Sequence, residues 1–81
     1  MMVSTFDRLT EVFRDVFEDD ELSVDRQTTA KDVEGWDSLM HVTLLVNVER
    51  AFGIKFRSSE IAGLKDVGEL ERLIDARLAA R

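Results

Sequence analysis

Asp37, Ser38 and His41 are the residues of this chain whose types and spacing come nearest to reactive chemistry. A carboxylate, a hydroxyl and an imidazole within about one helical turn invite a hydrolase reading, because i,i+3 neighbours on a helix can touch. The remaining parts of that machinery are missing. No stretch offers an evident oxyanion hole, and 81 residues leave little room for a substrate cleft. The single histidine is read as a partly packed surface residue, with no second histidine beside which to hold a metal. A hydroxyl acted on by another protein's machinery needs none of these parts. Asp37 is a good N-cap residue, which places Ser38 at the first position of a helix. There, unpaired backbone N–H groups and the macrodipole favour an attached anion, although the charge of Asp37 partly opposes it.

The helix that begins at Ser38 is expected to run to Phe52, with Gly53 stopping it in a left-handed cap. On a helical wheel Leu39, Val42, Leu45, Val46 and Phe52 share one broad face, and Met40, Leu44, Val48 and Ala51 extend the apolar arc. Only Thr43, Asn47 and Arg50 form a coherent polar stripe. So wide an arc predicts a helix packed from several directions at the centre of a bundle. Met40 and Leu44 lie on the extension of the arc, where the choice is between burial and an apolar docking spot for partners.

Three elements are expected around it. Ser4 and Asp7 are spaced like a capping box, and Phe6, Leu9, Val12, Phe13, Val16 and Phe17 recur at helical steps after them. This first helix is expected to end in the acidic run Glu18-Asp19-Asp20-Glu21, which suits a helix C-terminus poorly. A long ordered loop over residues 19–36 follows, pinned by Leu22, Val24 and Val33, with a short turn of helix over 28–32. Gly35 supplies a backbone conformation that larger residues resist. Trp36 is either an anchor closing the loop or an exposed recognition element, and the anchor is favoured because tryptophans usually bury most of their surface. Ile54 and Phe56 read as two anchors on a loop. Ser58 or Ser59 caps a short third helix carrying Ile61 and Leu64, which Gly63 weakens or ends. Asp66 and Glu69 open a last helix through Val67, Leu70, Leu73, Ile74 and Leu78. The fold class is all-α, a four-helix bundle of three long helices and a short third one, with residues 1–81 forming a single domain.

The totals exclude several function classes. With no cysteine, disulfides and thiolate zinc sites are ruled out. A net charge of −6, from 17 acidic and 11 basic residues, disfavours a nucleic-acid footprint and favours basic partner surfaces. The acidic cluster Asp19, Asp20, Glu21 and Asp25 fails the EF-hand pattern, because Val24 stands where glycine is required. Arg8, Arg14, Lys31, Arg57, Arg72, Arg77 and Arg81 are scattered and are read as solvated charge. No apolar run is long enough to cross a bilayer, residues 1–20 lack a secretory pattern, and a cytoplasmic monomer without a membrane or nucleic-acid partner is expected.

Gly35-Trp36-Asp37-Ser38-Leu39, followed by Val42, Leu45, Val46, Glu49, Phe52, Gly53 and Ile54, resembles the core signature of acyl carrier proteins and peptidyl carrier domains. The resemblance spans essentially the whole chain. It implies a four-helix bundle with no catalysis of its own. It also implies that Ser38 is the hydroxyl to which a phosphopantetheinyl transferase attaches 4′-phosphopantetheine from coenzyme A, with Asp37 supporting by capping and transferase recognition. The thiol of that arm would carry an acyl, hydroxyacyl or aminoacyl cargo as a thioester, and the sulfur this chain lacks would arrive with it. The partners so implied are the transferase, a loading ligase or transferase, and downstream acyl-processing enzymes.

The sequence departs from the housekeeping fatty-acid carriers of that family. Met40 and His41 follow Leu39 where such carriers usually show acid, the second helix offers only Glu49, and the third only Glu60. With Trp36 before Asp37, these departures favour a dedicated, free-standing carrier of a specialised pathway. The competing expectation is an unmodified helical adaptor that binds a partner through its second helix.

Overall fold

The structure is a computed structural model and describes residues 4–80. Ser4 begins it as the sequence requires: its side chain accepts the Asp7 N–H at 3.0 Å and starts α1, Thr5–Val16. Leu9, Val12 and Phe13 form the buried stripe of α1, with Phe6, Val16 and Phe17 packed at its margins. The helix stops at Val16, just ahead of the acidic run, and Glu18 takes a left-handed conformation with φ 53°. Helix α2, Ser38–Phe52, is capped by Asp37 and closed by Gly53 at φ 67° and ψ 40°, both as expected. Helix α3 spans Ser58–Ala62 and α4 spans Val67–Ala80, and no strand occurs among the described residues. This is the expected all-α arrangement of three long helices and one short one.

The loop between α1 and α2 is ordered, with Val24 and Val33 buried and Leu22 partly so. Over the expected turn of helix at 28–32 the chain makes a single hydrogen-bonded turn and no helix: the Asp32 N–H donates to the Thr29 carbonyl at 2.9 Å, and the Thr29 N–H donates to the Asp32 carboxylate at 2.9 Å. The loop carbonyls of Thr28 and Arg26 accept the N–H groups of Val67 and Gly68 at 2.9 and 2.8 Å, completing the first turn of α4 from outside. A β-carbon at residue 68 would sit 2.8 Å from the Arg26 carbonyl oxygen, so this close approach depends on glycine. Arg26 then spans to Glu71 through two bonds of 2.7 and 3.1 Å.

Two expectations about packing are corrected. Backbone proximity makes α1, which lies against both α2 and α4, the central element in place of α2. The buried stripe of α2 consists of Leu44, Leu45, Val48 and Phe52. Leu39, Val42 and Val46, placed on the core face by the wheel, are 75%, 57% and 41% exposed. The wheel gave an apolar arc wider than one packing contact, and the core occupies only the side centred between Leu44 and Phe52. Leu44 is therefore core and no docking spot, while Met40 is half-buried.

Smaller corrections follow from local bonding. Arg57, not Ser58 or Ser59, is the N-cap of α3, because Glu60 accepts the Arg57 N–H at 2.8 Å. Several arginines read as solvated are engaged: Arg8 donates to the Ala51 carbonyl and lies over the Phe52 ring, Arg14 donates to the Leu22 carbonyl, and Arg77 bonds Glu60 and the Lys55 carbonyl. Arg81 lies outside the described residues.

Candidate functional site

Asp37 and Ser38 meet where the long loop turns into α2. Asp37 Oδ1 accepts the Met40 N–H at 2.9 Å, which fixes the first turn and leaves Asp37 itself exposed. Ser38 is also exposed, and its hydroxyl makes no hydrogen bond among the described residues. Local rules thus produce a free, solvent-facing hydroxyl at the start of a helix anchored further along by its buried stripe. Such an oxygen is accessible to a modifying enzyme and has no built-in base.

His41 does not supply one. Its Nδ1 accepts the Trp36 Nε1–H at 3.1 Å, and its Nε2 donates to the Ile61 carbonyl at 3.2 Å. Both nitrogens are committed away from Ser38, so the serine–histidine pairing weighed from the sequence is absent. Trp36 is the anchor it was expected to be: its ring meets Phe13 edge-on at 5.3 Å and 73°, and lies 6.2 Å from Phe17.

A groove of about 390 Å³ opens beside the serine, lined by Trp36, Asp37, Ser38 and His41 on one side and by Ile61, Leu64, Lys65, Asp66 and Leu70 on the other. Its walls are mainly apolar, with Asp37, Lys65 and Asp66 as charged residues among them. Sequence reasoning found the first side but missed the second. Lys65, Asp66 and Leu70 lie more than twenty residues from Ser38 in the chain, and no local spacing signals their convergence. A larger depression of about 670 Å³ lies at the other end of α2, among Arg50, Lys55 and Arg77, and holds no nucleophile.

Glu60 on α3 is held below the usual carboxylate range, chiefly by the Arg57 N–H and further by Arg77, against the opposing effect of partial burial. No group of three or more histidine, cysteine or acidic side chains among the described residues is arranged to hold a metal ion. No described helix is long and apolar enough to cross a membrane.

Comparison with known proteins agrees with this geometry. The family described as "Phosphopantetheine attachment site" matches residues 7–74. Among solved structures, the holo acyl carrier protein from Geobacter metallireducens, determined by solution NMR, is 46% identical and superposes with a TM-score of 0.88. The match covers 94% of this chain and 87% of that one. No curated protein matches. The family match over most of the chain, together with the superposition of all four helices' fold on an acyl carrier protein, identifies this chain as a member of the phosphopantetheine-binding acyl carrier family, whose members are non-catalytic carriers bearing covalent 4′-phosphopantetheine.

Proposed function

We propose that Ser38 Oγ is the attachment point of 4′-phosphopantetheine and that the chain delivers thioester-bound cargo to the enzymes of a dedicated biosynthetic pathway. The observation that carries the reading is the exposed, unbonded Ser38 hydroxyl at the Asp37-capped start of α2. In the grafting step Ser38 Oγ gives its proton to a base of the transferase and bonds to the pantetheine-bearing phosphorus of coenzyme A. The pyrophosphate P–O bond breaks, and the adenosine bisphosphate part leaves with the bridging oxygen. The residues present fit the group: α2 offers unpaired N–H groups at its first turn, Lys65 offers positive charge, and the groove offers apolar surface beside the serine. When bound, the group supplies a thiol on a flexible arm. Asp37 holds the helix start rigid, so that Ser38 is presented in one orientation.

Leu39, next to Ser38, begins an exposed apolar stripe that continues through Val42 and Val46. An enzyme that reaches Ser38 must cover this surface, so the stripe is the proposed contact for the phosphopantetheinyl transferase and for later partners. The absence of acid at Met40 and His41 supports a carrier adapted to particular partners rather than to general fatty-acid synthesis. A cytoplasmic monomer, with residues 1–81 acting as one carrier unit, completes the proposal.

Incubation with coenzyme A and a broad-specificity phosphopantetheinyl transferase, read by intact-protein mass, tests the site. One added phosphopantetheine is expected, and Ser38→Ala should abolish it while the circular dichroism spectrum is retained. Wild-type protein left unmodified by several transferases would favour the unmodified adaptor. A mass spectrum of protein from its native host identifies the cargo.

A further inference from the structure

Helix α3 is too short to hold its own place. It has five residues, none of them buried, and a helix of that length gains little from its internal bonds alone. Its position comes from contacts with the rest of the molecule. Ile61 and Leu64 pack in part against the core. Beyond that, two polar fastenings reach the helix from its larger neighbours. Arg77 of α4 bonds Glu60, and His41 of α2 bonds the Ile61 carbonyl. Only the second lies in the groove beside Ser38, whose lining includes His41 and Ile61 but neither Arg77 nor Glu60.

The ring that makes this second fastening is itself held. The Trp36 indole nitrogen can only donate, so His41 Nδ1 accepts from it, at 3.1 Å. That leaves Nε2 as the donor to Ile61, at 3.2 Å. Within its own segment the Ile61 carbonyl meets only the Gly63 N–H and, at 3.4 Å, the Leu64 N–H. Trp36 in turn sits edge-on against Phe13 of α1. A line of rigid groups therefore runs from α1 through Trp36 and His41 to the backbone of α3. Bonds at both nitrogens of one planar ring leave it no freedom to turn.

We propose that His41 is a positioning residue for the modification of Ser38: as a strut between Trp36 and the Ile61 carbonyl, it sets how far α3 stands from α2, and so the width of the groove that an enzyme acting on Ser38 must cover.

This role presupposes that Ser38 is the attachment point. An enzyme that reaches Ser38 Oγ approaches over the groove that Ser38 lines, and meets the α3 wall together with the serine. His41 makes no bond to Ser38, and the Asp37 cap is closed by the Met40 N–H without it. Loss of the strut thus moves the wall and leaves the nucleophile as it was. A change of that kind weakens binding and not the chemical step, so it raises KM at constant kcat.

The test combines steady-state phosphopantetheinylation of the full-length protein by a broad-specificity transferase with NMR amide exchange of the unmodified chain. His41→Leu, which keeps apolar bulk and loses both bonds, should raise KM for the carrier about three- to tenfold, the factor that one net hydrogen bond represents. Its kcat should be that of wild type. Exchange protection at the Gly63 and Leu64 amides should fall by a similar factor. His41→Gln, whose amide oxygen can accept from Trp36 while its nitrogen donates to Ile61, should restore both values. Arg77→Met, which loosens α3 away from the groove, should speed exchange at Glu60 and leave KM unchanged. An unaltered KM in His41→Leu, a fall in kcat alone, no rescue by His41→Gln, or an equal rise in Arg77→Met overturns the positioning role and leaves Ser38 as the attachment point. Wild-type protein that accepts no phosphopantetheine overturns both. Should His41→Leu fail to fold, His41→Asn, too short to span the two partners, decides it by the same KM.

Discussion

Leu44, Leu45 and Val48 project from one side of α2 and are shut away from water, whereas Leu39, Val42 and Val46 project from the other and remain in it. The two sets have nearly the same composition, two leucines and a valine against one leucine and two valines. Their difference comes from where α1 and the buried loop residues stand, not from their own chemistry. The buried side holds the helix in place. The open side costs exposed apolar surface in the isolated chain, and a surface kept apolar beside a modifiable serine has its use in contact with other proteins. Asp37 stands between these roles, because it starts the helix for both.

Substitutions along α2 can break or sharpen this contrast. The largest expected effect is that of Leu44→Ala, which should destabilise the fold by about 2–5 kcal/mol in chemical denaturation. A small effect there would mean that the buried side is not the structural one. Asp37→Ala should cost about 0.5–2 kcal/mol through the lost bond to the Met40 N–H, and should slow modification of Ser38 in a transferase assay. Leu39→Ala and Val46→Ala should change stability by no more than about 0.5 kcal/mol, measured in the same denaturation experiment. Leu39→Ala should nonetheless lower kcat/KM for phosphopantetheinylation, and equal rates for mutant and wild type would remove the open side from transferase recognition.

What the sequence made legible was whatever depends on neighbours in the chain. The Ser4 cap, the Asp37 cap, the left-handed Gly53 and the anchoring of Val24 and Val33 all follow from residue type and short spacing, and all appear in the structure. The exposed Ser38 hydroxyl follows from the same local rules. The orientation of α2 did not, because an apolar arc wider than one contact has two possible inner sides. The far wall of the groove, the dependence of Gly68 on the Arg26 carbonyl, and the ion pair from Arg26 to Glu71 join positions some forty residues apart or unite several elements. No periodicity encodes them. His41 falls between the two cases: its distance to Trp36 is short in sequence, but its reach to Ile61 is not.

The bonds from Thr28 and Arg26 carbonyls to the start of α4 make the two halves of the connecting loop unequal for engineering. A nick or an inserted peptide at residues 19–21, which are exposed, would leave both fastenings intact. The same intervention at residues 26–28 would strip the last helix of the acceptors for its leading amides. Reporter insertions and new chain ends therefore belong early in the crossing, and the later part is as structural as any helix.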